Sequence, residues 1–457
     1  MSPPKPNPPA NNGQLETTRS NRVAPWLVLL VIAVIGLIAV VWLWFSGNGT
    51  SRVGLETGRQ LGRFRDHHGS GPFNHDMARL SGLLAGYATI LLTLLMARFP
   101  FVERSLGPDQ LARWHARLGV GAFALTAIHL ASIPGHPNDW TIRLAHVAAA
   151  TMALLAVTSI PVVRHRLPYS VWNTAHWVGY MGLWQGLMHQ VRVGSDLSGN
   201  RWVAAAWIAA FTVGLIGLMD SRLFQPLVLH QAHHLRLDRV VEEAPGVVSV
   251  YITGQNLAAL NAQAGQFFRW RFLTRGMWFS ANPYSLSSVP DGQHLRITVS
   301  QVGGHSKKLA GLPTGTTVLV EGPSGIITPS RFTRQEVLLL AGGSGIGPAR
   351  ALTEALARAG KTVTLIYRCR SGAGLALQPE LDQIAATHPA VQIHCLVGPS
   401  SDPDNALTAQ RLKELNPTVG QADVFVCGPA RFTKAARQAA LAAGVPHRHI
   451  FSESISF

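Results

Sequence analysis

Long apolar runs fill the first half of the chain, and shorter alternating or continuous ones fill the second. Six segments of roughly 20 residues, the length a helix needs to cross a bilayer, run from Trp26 to Phe45, Met77 to Ala97, Ala112 to Ile133, Ile142 to Val163, Ser170 to Val191 and Trp202 to Met219. They predict a bundle of six transmembrane helices over residues 23–225. Beyond about Leu227 the period changes. VVSVYITG and HLRITVSQV alternate apolar and polar residues as half-buried antiparallel strands do, and TTVLVEGPSG adds a strand closed by a Gly/Pro turn. Residues 226–330 are therefore predicted to form a small antiparallel β-barrel. Over residues 331–457 continuous apolar runs (EVLLLAGG, TVTLIYRC, VQIHCLVG, ADVFVCGP) alternate with helical stretches, the pattern of a parallel sheet in an α/β domain.

Charge and composition refine the picture. The net charge is +16, but the basic residues are scattered rather than gathered in a stripe. Anionic headgroups beside transmembrane helices explain them better than nucleic acid does. Residues 1–22, Pro- and Asn-rich and almost without apolar content, are predicted to be disordered. The apolar run after them is too long for a signal-peptide core and lacks a small-residue cleavage site, so it is read as a retained anchor. Six crossings put both termini on one side. The basic loops RFPFVERSLGPDQLAR and RHRLP make that side the cytoplasm. The segment Ser46 to Asp76, with Arg52, Arg59, Arg63 and Arg65, then falls outside, against the positive-inside tendency. Cys369, Cys395 and Cys427 form no CxxC motif, and an odd count is no disulfide framework. Reduced thiols and no iron–sulfur cluster are expected.

Histidines interrupt the apolar pattern. The third segment carries His115 and His129, and the fifth carries His176 and His189. An imidazole in lipid still needs partners for its nitrogens. On each helix the two rings stand about 20 Å apart along the axis. Iron held by imidazole is a standard way for protein to fix haem, which pairs His115 with His176 around an inner haem and His129 with His189 around an outer one. The spacing on the third helix returns to within about 40° of one face, whereas that on the fifth leaves about 140°. The fifth helix is therefore expected to bend near Gly179, Gly182 or Gly186, or to use two flanks. Hydrogen bonding between helices without metal is the alternative.

With these histidines the chain resembles the ferric reductase and NADPH oxidase superfamily, whose six-helix domain carries two b-type haems on paired histidines of the third and fifth helices. The resemblance implies that Arg79, in ARLSGLLAG, stands beside the outer haem; a helix-end arginine that snorkels is the other reading. ANPYSLSS resembles the flavin motif of ferredoxin–NADP reductases, which implies that Asn282, Pro283, Tyr284, Ser285, Leu286 and Ser287 bind FAD. The family places a basic residue where Asn282 stands, so Arg269 or Arg271 is the candidate to compensate. In VGGHSKKL, Gly303, Gly304 and Ser306 suit phosphate at a helix start. LLLAGGSGIGPARAL is similar to the nicotinamide loop of the same superfamily, with Gly343, Ser344, Gly345, Gly347 and Pro348 facing a dinucleotide diphosphate. Arg368 and Arg370 end the next strand, where an NAD enzyme would carry an acid, and so favour the 2′-phosphate of NADPH, with plain surface arginines as the alternative. The family further implies that Cys427, Gly428 and Pro429 line the hydride path and that Phe457 covers the flavin. Core packing is the bland reading of both Cys427 and the C-terminus.

Taken together, the expected fold is a membrane α-helical bundle, then a β-barrel flavin domain, then an α/β nucleotide domain. The expected function is electron transfer across the cell membrane from NADPH through FAD and two b haems, with Cys427, Phe457, Ser285 and Arg79 as candidate catalytic residues. The acceptor is a ferric chelate or dioxygen. The alternative is an electron-delivery subunit docking an extracytoplasmic partner protein. A haem-bearing sensor with a degenerate nucleotide domain is a third possibility, opposed by the intact Gly loop.

Overall fold

The computed structural model describes residues 25–49, 72–132 and 140–454. The N-terminal tail, the arginines Arg52, Arg59, Arg63 and Arg65, and Phe457 lie outside the described residues. The first part is helical: α1 (Pro25–Gly49), α2 (Pro72–Met96), the short α3 (Pro100–Leu106), α4 (Pro108–Ser132), α5 (Trp140–Ser159), the short α6 (Pro161–Arg164), α7 (Tyr169–Val193), the short α8 (Ser195–Ser198) and α9 (Arg201–Met219). Five of these open on proline, whose fixed φ suits the first helical turn and whose missing N–H would have had no partner there. Each of the six expected apolar segments coincides with a long helix. By length and composition, Asp76–Met96 and Arg201–His233 are the two spans among the described residues long and apolar enough to cross a membrane. The apolar stretches of α1 and α5 are shorter, Ala33–Ser46 and Arg143–Ser159. Val171, Val178, Met181 and Trp184 of α7 are all exposed apolar side chains.

After α9 the chain widens into a π-helical turn, Asp220–Phe224, and resumes as α10 (Gln225–His233). This rod carries the chain past residue 225, the expected end of the helical domain, to the first strand. Six strands follow: β1 (Arg236–Ala244), β2 (Val247–Thr253), β3 (Phe267–Phe272), β4 (Asn282–Ser285), β5 (His294–Ser300) and β6 (Val318–Ser324), with the short α11 (Gly304–Lys308) before β6. The expected barrel is not closed. Two three-stranded antiparallel sheets form instead, β1-β2-β5 and β4-β3-β6, joined by the isolated bridges Arg236–Thr317 and Leu286–Ile297. β4 is too short for a full ladder, and its Pro283 has no N–H to give. Phe268, Trp270 and Phe272, fully buried on one face of β3, fill the space between the sheets together with Val250, Ile252 and Ile297.

The last domain has β7 (Glu336–Gly342), α12 (Ile346–Arg358), β8 (Thr362–Cys369), α13 (Gln378–Thr387), β9 (Val391–Val397), the short α14 (Ala409–Leu415), β10 (Asp423–Gly428), α15 (Ala430–Ala442) and β11 (Ile450–Ser454). All five strands are parallel, in the order β11-β10-β7-β8-β9. Their near-continuous apolar runs are buried on both faces, as a sheet covered by helices requires. The strand order reverses between β7 and β10. In open α/β sheets that reversal opens a crevice at the carboxyl ends of the strands.

Candidate functional site

α4 packs along α2 and α7 along α5, while α4 and α7 themselves scarcely touch. Into that gap project the four histidines. The ring centres of His115 and His176 lie 6.2 Å apart, and those of His129 and His189 lie 6.3 Å apart. A bond of about 2 Å from each imidazole nitrogen to one central metal, the length found for His–Zn, sets two ring centres about 6 Å apart. Both separations therefore match a shared metal. His115 Nδ1 is 3.3 Å from the Leu92 carbonyl oxygen, and His129 Nδ1 is 2.8 Å from that of Ala78. Donating Nδ1–H to a carbonyl leaves Nε2 unprotonated and aimed away from α2, the arrangement that orients a metal-binding histidine. Ala78 and Leu92 are spaced along α2 as His129 and His115 are along the antiparallel α4. Gly82 permits this approach, since an added Cβ would lie 2.9 Å from His129 Nδ1.

On the facing helix, His176 Nδ1 is buried without a hydrogen-bond partner, and the ring lies 4.6 Å from that of Trp172. α7 runs as one helix from Tyr169 to Val193, through Gly179, Gly182 and Gly186, and brings both pairs together. Among the described residues no three His, Cys, Asp or Glu side chains gather as a metal site. Paired imidazoles suit a metal whose remaining bonds come from a macrocycle.

Arg79, beside Ala78 on α2, has its guanidinium on Asp196 of α8 and 3.4 Å from the Trp44 carbonyl. Both charged side chains of that pair are largely buried. The arginine is thus neutralised within the bundle, by an acid the sequence reading had not singled out.

In the flavin-type module, Asn282 pairs in register with Trp270 and Tyr284 with Phe268 across β3 and β4. Residues directly opposite share a face, so Arg269 and Arg271 lie on the other face of β3. Arg271 faces Glu321 at 3.6 Å. Asn282 Nδ2 is buried with no partner, a donor left open in this face. The half-buried Tyr284 has its hydroxyl 3.3 Å from His305 Nδ1. Burial, with Lys308 nearby, pushes His305 down to about 4, so the ring is neutral near pH 7. Ser285 is half-buried, whereas Leu286 belongs to the core and Ser287 is fully buried. Ser306 closes on its own turn, with its hydroxyl 2.9 Å from the Gly303 N–H; Gly304 faces open space.

The reversal between β7 and β10 brings two sequence motifs together. Gly343 and the half-buried Ser344 leave β7, with Gly343 at φ +54° and open space where a Cβ would stand. A Cβ on Gly345 would collide with the Cys427 carbonyl, and one on Gly347 would lie 3.3 Å from Ser287. The glycine loop is therefore wedged between the β10 turn and the flavin motif. Pro348 is buried in the first turn of α12, as expected of a proline there. Cys427 is fully buried in β10, Gly428 meets Phe432, and Pro429 is exposed. Arg368, half-buried, donates to the Gly398 carbonyl at 3.1 Å, and Arg370 is exposed at the strand end. The three cysteines are free thiols.

Two buried arginines meet one carboxylate where these modules join. Arg296 of β5 donates to the Ser287 carbonyl at 2.7 Å and to Glu380 of α13 at 3.0 Å, and Arg350 of α12 lies 2.8 Å from the same carboxylate. Burial would raise the Glu380 carboxyl, but the two guanidiniums outweigh it and hold it below the ordinary range. Neither arginine has a motif signature, so only the fold could identify them.

Comparison with known proteins agrees with this division. Residues 81–187 match the family described as ferric reductase-like transmembrane component, and residues 339–438 match the oxidoreductase NAD-binding domain. The ferredoxin reductase component of a 3-ketosteroid-9-alpha-monooxygenase from Mycolicibacterium smegmatis is 34% identical over 50% of this chain and 67% of its own length. The chain belongs to the ferric reductase-like transmembrane proteins with a ferredoxin reductase type C-terminal module. A flavohemoprotein from Pseudomonas putida is 29% identical to this ferric reductase-like protein over 47% of the chain, which spans 56% of that relative's length. Among solved structures, a flavohemoglobin from Malassezia yamatoensis aligns over 85% of the chain and 100% of its own at 17% identity, with a TM-score of 0.45. The ferric reductase-like family places the protein in a membrane, and the second module makes it an oxidoreductase with an FAD and NAD(P)H type fold.

Gly345→Ala is expected to retain FAD but slow flavin reduction by NADPH on the order of a hundredfold, since displacing the loop by ~1 Å spoils alignment. Unchanged stopped-flow kinetics would remove the loop from nucleotide binding. Glu380→Gln is expected to destabilise the joined modules by about 2–3 kcal/mol at pH 7 by leaving Arg296 unpaired. A depressed folded-state pKa contributes stability above the unfolded value near 4.3 that is lost as pH falls below it. The gap in thermal midpoint between wild type and Glu380→Gln therefore narrows with acidification, and a gap that widens would contradict the assignment.

Proposed function

We propose that this protein passes electrons from cytosolic NADPH, through FAD and two b-type haems, to an acceptor outside the cell membrane, with six crossings and both termini in the cytoplasm. The observation that carries the reading is the pair of metal-spaced imidazole couples, one above the other on α4 and α7. The flavin-type module packs against the His115–His176 end of that stack. Phe279, three residues before Asn282, lies 6.3 Å from Trp177, the residue after His176. A flavohemoprotein among the relatives, by its name, also joins flavin and haem, which supports the same reading.

His115, His176, His129 and His189 would hold the two irons. Leu92 and Ala78 would keep the α4 rings in the ligating tautomer. Tyr284 and Asn282 would hold FAD, and Gly343 to Gly347 the NADPH diphosphate at the strand-order reversal. When bound, FAD takes a hydride and releases electrons singly, which links a two-electron donor to one-electron haem iron. The protein's part is to bring the crevice, the flavin face and the inner histidines into one line and to keep water from the histidine gap. Ferric chelate and dioxygen are the proposed acceptors.

Dithionite-reduced membranes should show a b-type Soret spectrum. His129→Leu or His189→Leu should remove one of the two haems and stop reduction of external ferric citrate, while flavin reduction by NADPH continues. Loss of flavin reduction in the same variants would refute this division of labour. Changing Arg368 and Arg370 to Ala should raise KM for NADPH about tenfold or more, as expected for loss of charged contacts to a phosphate, and leave KM for NADH nearly unchanged. Equal rises for both nucleotides would refute the 2′-phosphate role.

A further inference from the structure

The stretch EGPSG marks β6 in the sequence, yet its acid does not serve the module it belongs to. Glu321 is 3% exposed and stands in register with Arg269 across β3, on the face turned away from Trp270. Its Oε2 accepts from Arg222 Nη1 at 2.8 Å and from Arg98 Nη1 at 3.2 Å. Its Oε1 has no hydrogen bond and lies 3.6 Å from Arg271. Arg98 lies in the turn after α2 and Arg222 in the π-helical turn after α9, so two separate parts of the helical bundle converge on one carboxylate of the flavin-type module.

Both arginines are specially placed. Arg98 has φ +56°, a left-handed backbone that costs a non-glycine residue and persists only where its surroundings demand it. Its guanidinium also bonds Glu103 at 3.1 and 3.2 Å and reaches the Ser324 hydroxyl. The π-turn adds a residue to the helical repeat, a distortion that recurs at functional positions, and here it bears Arg222. Beside the cluster the modules touch closely: a Cβ on Gly107 would lie 3.3 Å from Ile326 Cδ1. Without the carboxylate, Arg98 would keep Glu103, but Arg222 and Arg271 would lose their acid in a largely buried seam, and burial makes such charge costly.

We propose that Glu321 is a positioning residue that pins the flavin-type module to the inner end of the helical bundle and so sets the reach from flavin to the inner histidine pair. The inference rests on the proposed electron route for its consequence, and on the ion cluster alone for the docking itself.

The test uses the full-length protein in lipid nanodiscs, comparing wild type with Glu321→Gln, Arg222→Gln and the double variant. Stopped-flow absorbance follows flavin reduction by NADPH and haem reduction separately, and hydrogen–deuterium exchange follows residues 98–107 and 318–326. Glu321→Gln should leave KM for NADPH and the flavin step unchanged, slow haem reduction by about tenfold or more, and raise exchange in both segments. The double variant should be no slower than the slower single variant, because the two residues share one interaction. Haem reduction at the wild-type rate together with unchanged exchange would overturn the proposal. Should Glu321→Gln fail to retain FAD, Arg222→Gln alters the seam from the bundle side, and the same two results decide. A wild-type protein without haem would defeat the electron route, and the exchange result would still decide whether Glu321 docks the modules.

Discussion

An imidazole in an apolar bundle needs partners for its nitrogens, and the packing of α2 on α4 follows from supplying them to His115 and His129. On α4 the demand is met on one side by carbonyls of α2, which forces the close α2–α4 packing and the glycine at position 82. On the other side the rings face partners across a gap that the helices do not fill. A bundle that packed α4 directly on α7 would gain dispersion contacts and lose the space. The two ring separations agree within 0.1 Å, so both levels present the same geometry to the proposed metals.

The C-terminal modules meet a different constraint. The proposed electron route needs fixed geometry between parts of the chain that fold around separate cores. Each seam has a carboxylate enclosed by arginines from across the boundary: Glu321 with Arg98 and Arg222 on the bundle side, Glu380 with Arg296 on the nucleotide side. Apolar contact alone would hold the parts together but tolerate sliding. Guanidinium–carboxylate pairs are directional, and a small displacement of one module leaves a buried charge unsatisfied, so the seams specify orientation as well as association.

Periodicity alone located all six long helices, three of the six antiparallel strands (β2, β5 and β6) and four of the five parallel ones, because burial on one face, on alternate residues or on both faces leaves distinct patterns. The glycine loop and the paired histidines were legible too, since few residue types serve such positions. The barrel was not. Closure depends on how far strands extend and where a proline interrupts their ladder, and the alternation of apolar residues is the same in two open sheets. The face of β3 was equally hidden: the register places Arg269 opposite Glu321, and Arg271 lies 3.6 Å from the same carboxylate.

What the chain by itself determined, then, is which chemistry is present and on which element it rides: imidazoles on two apolar helices, a tyrosine–serine loop on a short strand, glycines after a buried strand. These choices are local, made by side-chain type and spacing. The tertiary structure decided which of those groups meet, through a gap held open between α4 and α7, the wedge of Gly345 and Gly347 between Cys427 and Ser287, and the arginines gathered on Glu321 and Glu380. Such meetings join residues far apart in the chain, and an arginine that closes a seam has the same local pattern as one that merely faces water.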